Sequence, residues 1–91
     1  MTTSKLIGLN TKWYRYQNNM TQEKLSEKTE LKTAYISLLE SGNSNITTNT
    51  IDTIAKALNV KPKDLLDEHT ATMAEQLPAR VDTYKRKSKN N

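Results

Sequence analysis

An all-α fold, a compact bundle of five short helices followed by a basic tail, is predicted for this chain by three observations. Apolar residues recur three and four apart in successive stretches, as in Ile7/Thr11/Tyr14, Ile36/Leu39 and Ile51/Ile54/Ala55/Leu58, which is the period of a helix with one buried face. Side chains suited to capping, such as Thr21 and either Thr48 or Asn49, stand before these stretches. Residues that tolerate a turn, Asn18–Asn19, Gly42 and Asn59, stand after them.

The first helix is expected to begin near Ser4 or Lys5 and to run to about Asn18. It carries two apolar stripes: Ile7, Thr11 and Tyr14 form one, and Leu6, Leu9, Trp13 and Tyr16 form the other. The second stripe is either covered by the chain's own tail or used to meet a second molecule, unless the domain wraps a wider helix face into its core. A second helix follows from Thr21, whose hydroxyl can accept an orphan backbone N–H, with Glu23 in its positive first turn. It faces Leu25 inward and ends near Thr29. The chain must turn at Glu30, where glycine would be the easier residue, because a left-handed backbone costs a residue with a Cβ roughly 1 kcal/mol or more.

A third helix, about Lys32 to Glu40, directs Ile36 and Leu39 inward and leaves small polar and apolar residues on its other sides. A merely solvated helix would more often carry Glu and Lys there, as the second helix does. After Gly42 a polar loop leads to a fourth helix ending at Asn59–Val60, and Pro62 opens a short fifth, Pro62 to Leu66. The domain is thus expected to span residues 1–68, with 69–91 as a partly disordered tail holding at most a weak helical turn or two around Thr72 to Leu77.

Composition narrows the function. The 91 residues carry a net charge of +4. Residues 1–69 hold nine Lys/Arg against eight Asp/Glu, and residues 70–91 hold five against two. Attraction to phosphate must therefore come from a local basic face or from the tail. There is no cysteine, and the single histidine, His69, has no companion ligands, so no metal or cofactor is expected. No paired carboxylates, nucleophile with base, or glycine-rich phosphate loop suggests an enzyme. No apolar run approaches the ~20 residues of a membrane span, so a cytoplasmic, nucleoid-associated protein is expected.

Three segments then carry a resemblance: M-T-Q-E-K-L at residues 20–25, Y-I-S-L-L-E-S-G at 35–42 and I-D-T-I-A-K-A-L-N-V at 51–60. In this order and spacing the chain resembles the helix-turn-helix family of lambdoid phage repressors, Xre-type regulators and restriction-modification controller proteins, over roughly Ile7 to Leu66. The resemblance implies a lambda-repressor-like domain that binds double-stranded DNA through its third helix. It also implies that Arg15 pairs with Glu40 to pin the first helix to the third, and that Gln22, Asn43, Ser44 and Asn45 hold the DNA backbone.

Physically, such a helix enters the major groove by its positive N-terminal end. Lys32 can reach guanine acceptors or phosphate, Thr33 and Ser37 can bond several base edges, Ala34 can touch a thymine methyl, and Tyr35 can reach a phosphate with its hydroxyl. Leu38 is a departure, being apolar where a polar reader is often found. One domain contacts a half-site only, so a homodimer is expected, through Val60, Leu65 and Leu66 in preference to the stripe around Trp13. The expected function is a sequence-specific transcriptional regulator, a repressor. The alternatives are an antitoxin-like regulator whose tail, Thr70 to Asn91, binds a partner protein, and a helical interaction module that has lost DNA binding.

Overall fold

Thr2 holds an extended backbone and accepts the Lys5 N–H on its hydroxyl at 3.2 Å, which starts the first helix, α1 (Thr3–Gln17). The computed structural model describes residues 1–78, and all regular structure in them is helical. The order is α1, α2 (Gln22–Thr29), α3 (Thr33–Glu40), α4 (Thr48–Leu58), a 3₁₀ turn at Pro62–Leu66, and α5 (Glu68–Ala74). Of the tail expected to be partly disordered, residues 79–91 lie outside the described residues.

The main core is built from one apolar face per element: Leu25 of α2, Ile36 and Leu39 of α3, Ile54, Ala55 and Leu58 of α4, Leu65 of the 3₁₀ turn, and Met20 between α1 and α2. Each Leu or Ile buried in this way contributes about 1.5–3 kcal/mol. Turns between the helices are reached through left-handed residues: Asn19 (φ 52°), Glu30 (φ 63°), Gly42 (φ 81°) and Asn59 (φ 59°). Glu30 closes α2 with its N–H donating to the Ser26 carbonyl at 2.8 Å. It does so in the conformation that suits glycine better.

Two elements differ from expectation. The fourth helix is capped by Thr47, not Thr48 or Asn49; the Thr47 hydroxyl accepts the Thr50 N–H at 3.1 Å. Its first turn, Thr48, Asn49 and Thr50, is polar, so the apolar period becomes visible only at Ile51. The fifth expected helix is a 3₁₀ turn, and a further α-helix follows where weak turns were expected from Thr72. Asp67 caps that helix, its carboxylate accepting the Thr70 N–H at 2.9 Å, and Ala71 and Ala74 are fully buried against Leu9.

Small residues give a faint periodic signal but permit close approach. Leu6, Trp13 and Leu77 pack around this second cluster. Lys12 Nζ donates to the Leu77 carbonyl at 3.1 Å, and the Tyr16 hydroxyl donates to the Pro78 carbonyl. The expected boundary at residue 68 therefore falls inside the packed structure. The second stripe of α1 is covered in part by the chain's own C-terminal segment, with Leu9 and Tyr16 buried and Leu6 and Trp13 half-buried.

Asn10 locks the joint between these parts. It is fully buried, and its amide donates to the carbonyls of Leu65 and Asp67, both at 2.9 Å. The Thr70 hydroxyl donates to its side-chain oxygen. Nearby, the Tyr14 phenol is pushed above its ordinary value, chiefly by burial and then by the Asp64 carboxylate.

Candidate nucleic-acid interface

The presentation of α3 begins with a glycine. A Cβ on Gly8 would stand 2.3 Å from the Leu39 carbonyl oxygen and 3.2 Å from the Glu40 backbone, so α1 crosses the end of α3 at a distance that only glycine allows. About two helical turns further along α1, Arg15 is 1 % exposed. Its Nε and Nη2 donate to the two carboxylate oxygens of Glu40 at 2.7 and 2.9 Å, and its Nη1 donates to the Met20 carbonyl at 2.9 Å. The guanidinium also lies 5.1 Å from the Tyr16 ring centre. A forked pair fixes direction as well as distance, because two parallel bonds leave little freedom to rotate.

Gln22 joins this network, its amide donating to Glu40 Oε1 at 3.1 Å. Three helices thus meet at one carboxylate: α1 through Arg15, α2 through Gln22 and α3 through Glu40 itself.

Held in this way, α3 buries Ile36 and Leu39 completely and turns Ala34, Ser37 and Leu38 to solvent. Thr33 and Tyr35 are half-buried, and Tyr35 packs against the main core. Lys32 is exposed at the N-cap and supplies no side-chain cap among the described residues, so the first-turn N–H groups keep their capacity to bind an anion.

Beyond α3, Asn43 and Asn45 are exposed, and the Asn43 amide donates to the Ser41 hydroxyl at 3.2 Å. Ser44 is a correction. Its hydroxyl is buried and has no hydrogen-bond partner among the described residues, so it is not presented to a phosphate.

The expected dimer residues also divide. Leu65 is 0 % exposed and belongs to the main core, so it cannot form a contact surface without unfolding the 3₁₀ turn. Val60 is half-buried against that core. Leu66 is 49 % exposed and lines an apolar groove of about 400 Å³ with Ile7, Ile51 and Pro62, with Asp52 and Lys63 at hand for polar contacts. Sequence reasoning missed the part Ile51 plays here, although its predicted inward place holds, since it is half-buried against the main core.

Gly8 and Asn10 were likewise missed. Gly8 had a readable signal: a glycine inside a predicted helix costs about 1 kcal/mol against alanine, so its presence points to a close approach.

A short helix, a turn and a second helix whose outer side is left unpacked, braced by a third helix behind, define a helix-turn-helix protein. The family model described as Helix-turn-helix matches residues 12–65. The chain belongs to this family, in its Xre-like branch.

Control protein C.BamHI of Bacillus amyloliquefaciens is 47 % identical over 60 residues, which cover 66 % of this chain and 74 % of that protein. Control protein C.SmaI of Serratia marcescens is 36 % identical over 66 residues, 72 % of this chain and 79 % of the relative. Among solved structures, the restriction-modification controller protein C.Esp1396I, a tetramer in complex with its natural 35-base-pair operator, has a TM-score of 0.67 and 26 % identity, and the match covers 84 % of this chain and 99 % of that one.

Proposed function

We propose that this chain is a transcriptional regulator that binds an operator as a homodimer and represses from it, with α3 as the reading helix. The observation that carries this is the unpacked face of α3 together with its bracing: Ala34, Ser37 and Leu38 are outward while Gly8, Arg15 and Gln22 hold the helix from behind. Nothing in a solvated helix requires such bracing. Lys32 and the first-turn N–H groups meet the phosphate or a guanine edge, and Tyr35, Asn43 and Asn45 serve the backbone. Gln22 spends one N–H on Glu40 and keeps its second for a phosphate.

The homodimer rests on the groove at Leu66, Ile51 and Pro62, where a second copy places the same apolar surface. Operator binding by C.Esp1396I as a tetramer supports the reading. The partner-binding alternative loses one side of the stretch 70–77, where Thr70, Ala71, Ala74 and Leu77 are spent on α1.

The test is a gel shift of the full chain against its own upstream DNA. Lys32→Ala is expected to weaken binding by about 1–3 kcal/mol if it reads a base, and evenly across sequences if it meets phosphate. Leu66→Glu is expected to leave a folded monomer by sedimentation that binds the operator weakly. A wild-type shift with Lys32→Ala removes that residue from the site, and no shift with any upstream fragment overturns the proposal.

A further inference from the structure

We infer that this protein reads its operator largely through the C5-methyl groups of thymine, with Leu38 as the specificity-determining residue and Ala34 beside it. The inference rests on the proposed DNA-binding role and names the chemistry that role uses.

Leu38 is 48 % exposed, and it stands one helical turn after the exposed Ala34. Residues four apart on a helix are neighbours, so the two make a short apolar strip along the outer side of α3. The strip is flanked by Thr33 and Ser37, whose hydroxyls bond donors and acceptors alike and so distinguish base pairs poorly. The one charged side chain within α3, Glu40, is consumed by Arg15 and Gln22. No residue of α3 can present the forked donors that select guanine or the amide that selects adenine.

In the major groove the thymine methyl is the sole apolar mark, and it is the feature this face matches. The match also rejects. A cytosine or adenine amino group placed against Leu38 would lose its water and gain no acceptor. The backbone that carries the leucine is fixed, because its carbonyl accepts the Ser41 hydroxyl at 2.6 Å and the Ser41 N–H at 3.2 Å in the turn that ends α3.

The test selects bound duplexes from random DNA with the full chain, footprints the winner and resynthesises it with deoxyuridine for thymidine, which deletes the methyl and nothing else. Deoxyuridine at the positions under α3 is expected to weaken binding about fourfold per contacted methyl, which is about 0.8 kcal/mol, and about sixteenfold when both half-sites are changed. Deoxyuridine outside the footprint should have no effect.

Leu38→Ser, a change at an exposed position that leaves the fold in place, should bring the thymidine-to-deoxyuridine ratio toward one. A selected site without thymine under α3, equal binding of the two duplexes, or a ratio that survives Leu38→Ser overturns the inference while the DNA-binding reading stands. If no duplex is enriched at all, both fall together.

Discussion

Replacing Glu40 with alanine should be among the most damaging single changes available in this chain. Arg15 is 1 % exposed, and two of its three donor nitrogens have Glu40 as acceptor. The substitution leaves a guanidinium charge in the interior with the Met20 carbonyl and the Tyr16 ring as its remaining partners, and it strips the Gln22 amide of the same acceptor. Breaking one side of a buried pair costs about 3–5 kcal/mol, against a total stability of about 5–15 kcal/mol for a domain. At about 4–8 °C per kcal/mol for this size, the melting temperature should fall by roughly 12–40 °C.

Urea denaturation followed by circular dichroism measures the loss directly. Arg15→Met should cost a similar amount, whereas the double variant Arg15→Met/Glu40→Leu should recover much of it, since no charge is left stranded. High salt should change little, because the pair is out of reach of screening ions. A loss below about 1 kcal/mol for Glu40→Ala, the range of an exposed ion pair, or additive losses in the double variant would refute the reasoning.

Glu30→Gly should stabilise the fold by up to about 1 kcal/mol, the relief of a left-handed residue less the added freedom of the unfolded chain; a raised urea midpoint checks it. Gly8→Ala should destabilise by about 1–3 kcal/mol or more, because its Cβ meets the Leu39 carbonyl oxygen and α1 must move away from α3; a lowered midpoint with weaker DNA binding is the expected pair of results. Asp67 should make the docking of α5 acid-sensitive. Its carboxyl is held below the ordinary value of 3.8, first by the Thr70 backbone N–H, so the stabilisation is whole above 3.8 and is lost as pH falls through the lower folded value. Trp13, which packs against the α5 cluster, should report this by fluorescence, and Asp67→Asn, which keeps an acceptor but does not titrate, should remove the dependence.

The α2–turn–α3 unit was legible because its signals are local and agree with one another. Thr21 caps, Leu25, Ile36 and Leu39 repeat at helical spacing, and Glu30 is conspicuous because few side chains suit a left-handed turn. What was not legible depends on partners far along the chain. Asn10 reads as a polar interruption in an amphipathic helix, and only the carbonyls of Leu65 and Asp67, more than fifty residues away, explain a buried amide there. Leu65 and Leu66 are adjacent and chemically alike, so their assignment to core or surface follows from the rotation of the 3₁₀ turn, which composition does not encode. In α5 the buried face is two alanines, whose worth lies in how closely they let Leu9 and Trp13 approach.

These long-range contacts bear on DNA reading although none of them lies on the reading face. α1 is clamped on one side by α5, through Leu9, Ala71 and Ala74, and it grips α3 on the other through Gly8 and Arg15. Loosening α5 uncovers Leu9 and Trp13 and removes the Thr70 bond to Asn10, whose amide sets where α1 lies along the 3₁₀ turn. The Gly8 crossing tolerates no added atom, so a shift of α1 is passed to α3 instead of being absorbed. A face that reads through Ala34, Ser37 and Leu38 has few strong bonds with which to tolerate misalignment. Its accuracy depends on the helix behind it staying where the C-terminal segment holds it.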